Sequence, residues 1–128
     1  MPAVAALVEK LAQFPGVQGC ALVEAESGMV WQHSGQLPDI EHIGEAAIEF
    51  WRVHQRLSTQ LVSLGGLKSA AYSFADHVVA LFPCGEDPAR VLICVAAKSG
   101  VAWAEWSVHM LALRQALIAK DSIQRHAE

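Results

Sequence analysis

Apolar residues change their spacing along the chain, and each change predicts a new secondary-structure element. Residues 4–11 repeat at helical spacing and predict a first helix, which Pro15-Gly16 ends. Residues 17–24 and 29–31 are apolar and compatible with strands, and Glu26-Ser27-Gly28 between them is a turn signal. These two runs therefore predict a β-hairpin.

A long amphipathic helix comes next. Pro38-Asp39 is a start signal, with Asp39 or a residue before it as the cap, and Gly65-Gly66 ends the helix after about residue 64. Three short extended runs follow, at residues 67–74, 78–82 and 91–97. A last helix is predicted over residues 101–120, and the polar residues 121–128 form a tail that is expected to fray.

These elements predict an α+β protein with the order α-β-β-α-β-β-β-α. Connections within each group of strands are short, so the strands are expected to pair antiparallel. Residues 91–97 are apolar without alternation, which indicates a strand that is covered on both faces. We expect one sheet with helices on both faces, in a single domain over residues 1–120 that precedes the tail over residues 121–128.

The middle helix carries an unusually wide apolar surface. Its main stripe, which is expected to face the core, consists of Ile40, Ile43, Ala47, Phe50, His54, Leu57, Leu61 and Leu64. A separate flank carries Gly44, Ile48, Trp51, Gln55 and Val62. One interpretation is that this flank meets a second subunit, with Gly44 permitting close backbone approach. The alternative is a broad stripe that the sheet of the same subunit covers.

Composition favours a globular protein with a protein partner. Hydrophobic residues make up 53% and charged residues 17% of the chain, which excludes disorder and leaves surplus apolar surface. The net charge is −4 without a basic stripe, so neither nucleic acid nor a membrane is an expected partner. No apolar run approaches the roughly 20 residues of a membrane span, and the N-terminus lacks a signal-peptide pattern. Three widely spaced cysteines favour a reducing, cytoplasmic location.

The polar residues form no catalytic or metal-binding pattern. The six histidines lack zinc-ligand spacing; His54 is expected in the core or an interface, and His77 in an exposed turn. The helical row of Glu41, Glu45 and Glu49 is expected on a solvated face. Cys84 lies between Pro83 and Gly85, in a loop that would expose it, and no base is placed near it. We predict no catalytic residue, metal or cofactor, and hence no enzyme.

A small-ligand pocket is an open alternative. An apolar stripe marks the last helix at Trp103, Trp106, Met110, Leu113 and Leu117. Core packing explains this stripe most simply, and Cys20 and Cys94 are expected in strands as small apolar residues. In the alternative, Trp103, Trp106 and Cys94 line a pocket between the sheet and this helix.

Three stretches resemble the roadblock/dynein light chain family. They are Phe14-Pro15-Gly16-Val17-Gln18-Gly19 with the turn at Ser27-Gly28, Gly66-Leu67 before the third strand, and Ser99-Gly100-Val101-Ala102 before the last helix. Ser27 stands where the family usually has an acidic turn residue. The resemblance implies a profilin-like three-layer fold with one five-stranded antiparallel sheet in the order 2-1-5-4-3. It also implies homodimers that pair through the third strand, with the middle helices packed antiparallel.

The resemblance further implies a role as a scaffold or regulator of a small Ras-like GTPase, including as a GTPase-activating co-factor. The alternatives are a small-ligand sensor and a light-chain-like structural subunit of a larger complex without a GTPase. The third strand has small residues and little charge, so little in its sequence prevents its edge from pairing with another strand. The dimer interface is therefore predicted at Gly44, Ile48, Trp51, Gln55, Val62, Lys68, Ala70, Tyr72 and Phe74.

Overall fold

The computed structural model describes residues 3–86, 89–98 and 100–127. Its elements follow the predicted order. They are α1 (Val4–Ala12), β1 (Val17–Glu24), β2 (Val30–Gly35), α2 (Ile40–Leu57), β3 (Ala70–Ser73), β4 (His77–Glu86), β5 (Ala89–Ala97) and α3 (Trp103–Ala127), with a short 3₁₀ turn at Val62–Leu64. None of the helices in the described part of the chain is long and apolar enough to span a lipid bilayer.

The five strands form one antiparallel sheet in the order β2-β1-β5-β4-β3, which confirms the predicted topology. Strand β5 lies at the centre, and all its residues from Arg90 to Ala96 are buried. Helices α1 and α3 cover one face of the sheet and α2 covers the other, so apolar side chains on both faces of β5 are removed from water.

The face under α1 and α3 contains the larger core cluster. Trp106, Met110, Leu113 and Leu117 of α3 are buried there, so the stripe predicted on the last helix packs in the core. Trp106 is fully buried, and its indole N–H donates a hydrogen bond to the Leu11 carbonyl oxygen at 3.2 Å. This bond satisfies the one polar atom of the ring and fixes α3 against α1.

Helix α2 lies against β1 at Gly44. A Cβ at this position would lie 2.8 Å from the Cβ of Ala21 and 3.3 Å from Cγ2 of Val23, so only glycine permits this approach. The approach also places Ile48 in the core with no exposed surface. The interpretation that Gly44 and Ile48 lie on a flank open to a second subunit is therefore wrong, because the sheet of the same protomer covers both.

The C-terminal end of α2 also differs from the prediction. The helix ends at Leu57 and not near residue 64, because the Ser58 hydroxyl donates to the Gln55 carbonyl at 2.8 Å and Thr59 is a weak helix former. Residues beyond Leu57 consequently leave the stripe that was predicted to face the core. Leu57 and Leu64 are exposed and not buried.

An ion pair joins the β4–β5 hairpin to the last helix. The polar tail predicted from residue 121 is instead helical to Ala127, and Asp121 pairs with the fully buried guanidinium of Arg90. A bulge in β2 opposite Leu22 and Val23 directs Trp31 to the same place. The Trp31 ring centre lies 4.9 Å from the guanidinium carbon of Arg90 and 5.1 Å from Nζ of Lys120. These contacts bring the end of α3 onto the sheet.

Substitution Gly44→Ala is expected to destabilise the protein. Overpacking against Ala21 costs roughly 1–3 kcal/mol, and the better helix propensity of alanine offsets about 1 kcal/mol of that cost. Urea unfolding should therefore show a net loss of up to about 2 kcal/mol. Gly66→Ala is the matched control, because a Cβ at Gly66 meets nothing within 4 Å. Equal stability of the two variants would contradict the close packing of α2 on β1.

Substitution Asp121→Ala leaves the buried Arg90 guanidinium without its countercharge. Breaking a buried pair in this way costs about 3–5 kcal/mol, and urea unfolding measures the loss. The control is Lys120→Ala, which removes only an exposed cation from the Trp31 ring and should cost about 1 kcal/mol or less. Similar losses in both variants would show that the Arg90–Asp121 pair does not hold α3 in place.

Candidate interaction site

Strand β3 forms one edge of the sheet. Its residues Ala70–Ser73 pair only with β4 in the part of the chain that the structure describes, so the other edge presents unpaired backbone groups. The side chains of Ala71 and Ser73 are exposed and small. This edge is therefore accessible to another strand, as the sequence predicts.

Apolar side chains surround this edge. Helix α2 packs mainly over β1, β2 and β5, so its C-terminal half and the segment that follows project beyond the core. The exposed fractions there reach 73% for Val62 and 79% for Leu64. We name the α2–β3 surface by its exposed apolar residues: Val53, Leu57, Val62, Leu64 and Phe74. Phe74 lies at the far end of β3 from the other four, and exposed apolar side chains along a strand edge mark an interaction site.

A groove separates α2 from β3 within this surface. The rings of Phe50 and Tyr72 stack with centroids 3.9 Å apart at its base, and those of Trp51 and His54 lie 5.2 Å apart. The groove has a volume of about 210 Å³. The indole N–H of Trp51 is buried and has no hydrogen-bond partner among the described residues. His54 is half-buried beside this groove and is not in the core.

The residues predicted for a dimer interface divide into three groups. Gln55, Val62, Lys68 and Phe74 are exposed; Trp51, Ala70 and Tyr72 are half-buried along the groove; Gly44 and Ile48 are in the core. The sequence reasoning missed the exposure of Val53, Leu57 and Leu64. Ser58-Thr59 was the available signal, since an earlier helix end would have placed Leu64 outside the core stripe.

A larger cavity opens at the other end of α2. Its volume is about 540 Å³, and its lining consists of Leu37, Asp39, Ile43, Phe74, Ala75, Asp76, His77, Val79 and Val95. His77 begins β4 and is half-buried, not fully exposed. The pocket predicted under the last helix is filled instead, because Trp106 and Cys94 are fully buried and Trp103 packs against Trp106 with ring centroids 5.3 Å apart.

Comparisons with known proteins identify the architecture. No protein-family model matches the chain, and no curated protein matches it. A Roadblock/LC7 domain from Streptomyces avermitilis is similar, with a TM-score of 0.74 and 16% identity over 91% of this chain and 95% of that one. MglB from Myxococcus xanthus has a TM-score of 0.73 and 12% identity over 93% and 94% of the two chains. The gliding protein MglB from Thermus thermophilus has a TM-score of 0.69 and 14% identity over 89% of this chain and 84% of that one.

This chain has the Roadblock/LC7 fold. At such low identity the likeness resides in the backbone, and it covers almost the whole of each chain. The α2–β3 surface is therefore a feature of this chain's own side chains on a Roadblock/LC7 framework.

The titratable residues in the described part of the chain do not converge on a reactive site. Within residues 3–86, 89–98 and 100–127, no group of three or more His, Cys, Asp or Glu side chains is placed to hold a metal ion. Glu41 pairs with His33 at 3.0 Å, and Glu49 pairs with Arg52, all at the surface. Neither pair lies in a cleft that would tune it for acid–base chemistry.

The thiols are buried. Cys84 was expected to be exposed, but β4 continues through it and removes it from solvent. Burial raises the pKa of Cys84 to about 11 despite the nearby cations Arg114 and Arg90. Cys20 and Cys94 face each other across β1 and β5, and a hydrogen bond to Cys94, followed by burial, raises the pKa of Cys20 well above its ordinary value. None of the three is an activated nucleophile.

All three thiols should resist alkylation in the folded protein. With a pKa of about 11, Cys84 is about one-thousandth thiolate at pH 8, and burial blocks access. Iodoacetamide labelling followed by mass spectrometry should show reaction only after unfolding in urea, which is the positive control. Rapid labelling of one cysteine in the folded state would contradict the buried assignment.

Alkaline pH should lower the free energy of unfolding through ionisation of the Cys84 thiol. The folded pKa of Cys84 is about 11 and its ordinary value is 9.0, so its neutral thiol contributes stability below pH 9. This contribution falls as the pH rises from 9 toward 11. Urea unfolding of the wild type and of Cys84→Ala should show a smaller pH dependence in the variant over that range.

Proposed function

We propose that this chain is a non-catalytic, cytoplasmic binding module that forms a homodimer and scaffolds or regulates a small Ras-like GTPase. The observation that carries the proposal is the α2–β3 surface, where an open strand edge adjoins five exposed apolar side chains. Each such side chain gains on the order of 1 kcal/mol when a partner covers it. A second copy of this chain supplies both an open β3 edge and its own α2–β3 surface.

The homodimer pairs β3 with β3 of the partner subunit in an antiparallel arrangement. A two-fold axis beside Ala70–Ser73 makes the sheet continuous through both protomers and satisfies the free backbone groups. The C-terminal halves of the two α2 helices then meet above the shared sheet. Val62 and Leu64 become buried, and the groove beside Trp51 closes.

The GTPase part of the proposal rests on the family resemblance of the sequence. The fold agrees with that resemblance, and MglB, which shares the fold, is a gliding protein in Thermus thermophilus. Any stimulation of GTP hydrolysis would act by positioning the GTPase's own loops, because no arginine whose side chain the structure describes stands out as a finger. The exposed row of Glu41, Glu45 and Glu49 offers a negatively charged face to a basic partner surface.

Substitution Val62→Glu should dissociate the homodimer. It places a carboxylate in the interface, so the dissociation constant should rise at least about tenfold. Light scattering coupled to gel filtration measures the mass over a concentration series. Met29→Glu is the matched control, because Met29 is 56% exposed and lies in the β1–β2 turn, away from β3. A dimer that withstands Val62→Glu but not Met29→Glu would refute the α2–β3 interface.

GTPase binding is tested with the full-length chain and purified Ras-like GTPases from the same organism, each loaded with GTP. We expect one of them to co-elute with the wild type and Met29→Glu, and more weakly with Val62→Glu. Phosphate release then separates a hydrolysis activator from a passive scaffold. If no GTPase binds while the homodimer is intact, the GTPase part of the proposal is refuted.

The cavity of about 540 Å³ favours a second candidate, a small-ligand sensor. Its size is typical of ligand sites, and Asp39, Asp76 and His77 provide polar contacts in an otherwise apolar lining. A thermal-shift screen against metabolites tests this candidate. A ligand that raises the melting temperature of the wild type, but not of His77→Ala, would support it.

A further inference from the structure

The cavity of about 540 Å³ at the start of α2 has an apolar floor. Val79 of β4 and Val95 of β5 are opposite each other in the sheet, and both are buried. Ile43 of α2 and Leu37, which precedes the helix, are half-buried and line the same cavity. Phe74, just after β3, completes the apolar part of the lining. These side chains form a surface that can cover the hydrocarbon part of a ligand.

The position of α2 leaves this cavity open. The helix lies closest to the sheet at Gly44, which packs on β1, and it reaches β3 further along through the stack of Phe50 on Tyr72. The turn that joins β3 to β4 is closed by a hydrogen bond from the Phe74 backbone N–H to the His77 carbonyl oxygen at 2.8 Å. The space between this turn and the first part of α2 is the cavity.

Two exposed carboxylates contribute to the lining, those of Asp39 and Asp76. Neither forms an ion pair with another residue in the described part of the chain. Asp39 is the N-cap residue of α2, but its carboxylate accepts no capping hydrogen bond from the helix. Both negative charges are therefore available to a ligand in the cavity.

Positive charge at the cavity is smaller. The N-terminus of α2 carries only about half an elementary charge, against one full negative charge on each carboxylate. Among the described residues that line the cavity, His77 is the only one that can become a cation. Lys98 is nearby but is not part of the lining, and its ammonium donates to the Ala75 carbonyl oxygen at 3.3 Å. The lining therefore attracts cations and repels anions.

We infer that this cavity binds an organic cation, in which an ammonium group is attached to an apolar body. The inference rests on the small-ligand candidate of the proposed function and names the chemical class of that ligand. The ammonium pairs with the carboxylates of Asp39 and Asp76, and the apolar body covers Val79 and Val95. The ring of Phe74 adds a further attraction, because the face of an aromatic ring is electrostatically negative.

Three probes that share an indole ring and differ in their end group test the inference. Tryptamine is a cation, tryptophol is neutral and indoleacetate is an anion. Each is titrated at pH 7.5 into the full-length chain labelled with nitrogen-15, and the NMR shifts of the backbone amides report the affinity and the residues contacted. Tryptamine should bind at millimolar concentration or below, with shifts at Ile43, Phe74 and His77. Tryptophol should bind at least about threefold more weakly, and indoleacetate more weakly still.

Asp39→Asn and Asp76→Asn each remove one negative charge at almost constant size. Asparagine is as good an N-cap and turn residue as aspartate, so both variants should fold. Each should weaken tryptamine binding about two- to fivefold, and the double variant about tenfold, with tryptophol binding unchanged. Glu45→Gln is the matched control, because Glu45 is exposed on α2 and does not line the cavity. It changes the net charge equally and should leave the affinity for tryptamine unchanged.

Every titration is repeated on Val62→Glu, so that a cavity covered in the homodimer is not mistaken for one without affinity. If tryptamine shifts no lining residue in either protein, the inference is overturned. Equal affinities for tryptamine and tryptophol that both Asp→Asn variants leave unchanged overturn the cationic class, while the small-ligand candidate stands. Dimerisation and GTPase binding are measured separately, and their failure would leave these titrations interpretable.

Discussion

Close contact between α2 and β1 determines which surfaces of this protein remain open. Gly44 lets the helix backbone approach Ala21, and Arg52 donates two hydrogen bonds to the Ala25 carbonyl at 3.2 and 3.0 Å further along the same helix. The helix is thereby held over the β1 side of the sheet. In that position α2 reaches β3 through the stack of Phe50 on Tyr72, and apolar residues beyond that stack remain exposed.

Sequence patterns predicted the elements, their order and the edge position of β3 because these depend on local spacing and turn residues. The resemblance supplied the order of the strands. The patterns failed where a contact from another part of the chain decides the outcome. Gly44 and Ile48 were assigned to an open flank because the helical projection does not show which side Ala21 occupies. Asp121 was assigned to a tail because its partner, Arg90, lies 31 positions away.

The structure leaves only the outer half of the predicted interface exposed. Val62 and Phe74 are exposed beside β3; Leu57 is exposed at the last position of α2, and Leu64 joins them because the helix stops before Ser58. A continuous helix to residue 64 would have returned Leu61 and Leu64 to the stripe that faces the sheet. Local competition between the Ser58 hydroxyl and the helical backbone therefore changes the side chains that a partner meets. In the sequence, such competition shows only as the weak helix propensity of Ser58 and Thr59.

The pairing of β1 with β5 has a consequence for biosynthesis. Residues Val17 to Glu24 find their central partner only in residues 90–96, and Trp106 must still reach back to Leu11. A nascent chain that has emerged only as far as β4 therefore exposes the inner edges of β1 and β4 and the apolar inner faces of α1 and α2. Contacts this distant slow folding. The sheet can close only when β5 has left the ribosome, which makes chaperone protection of the nascent chain advantageous.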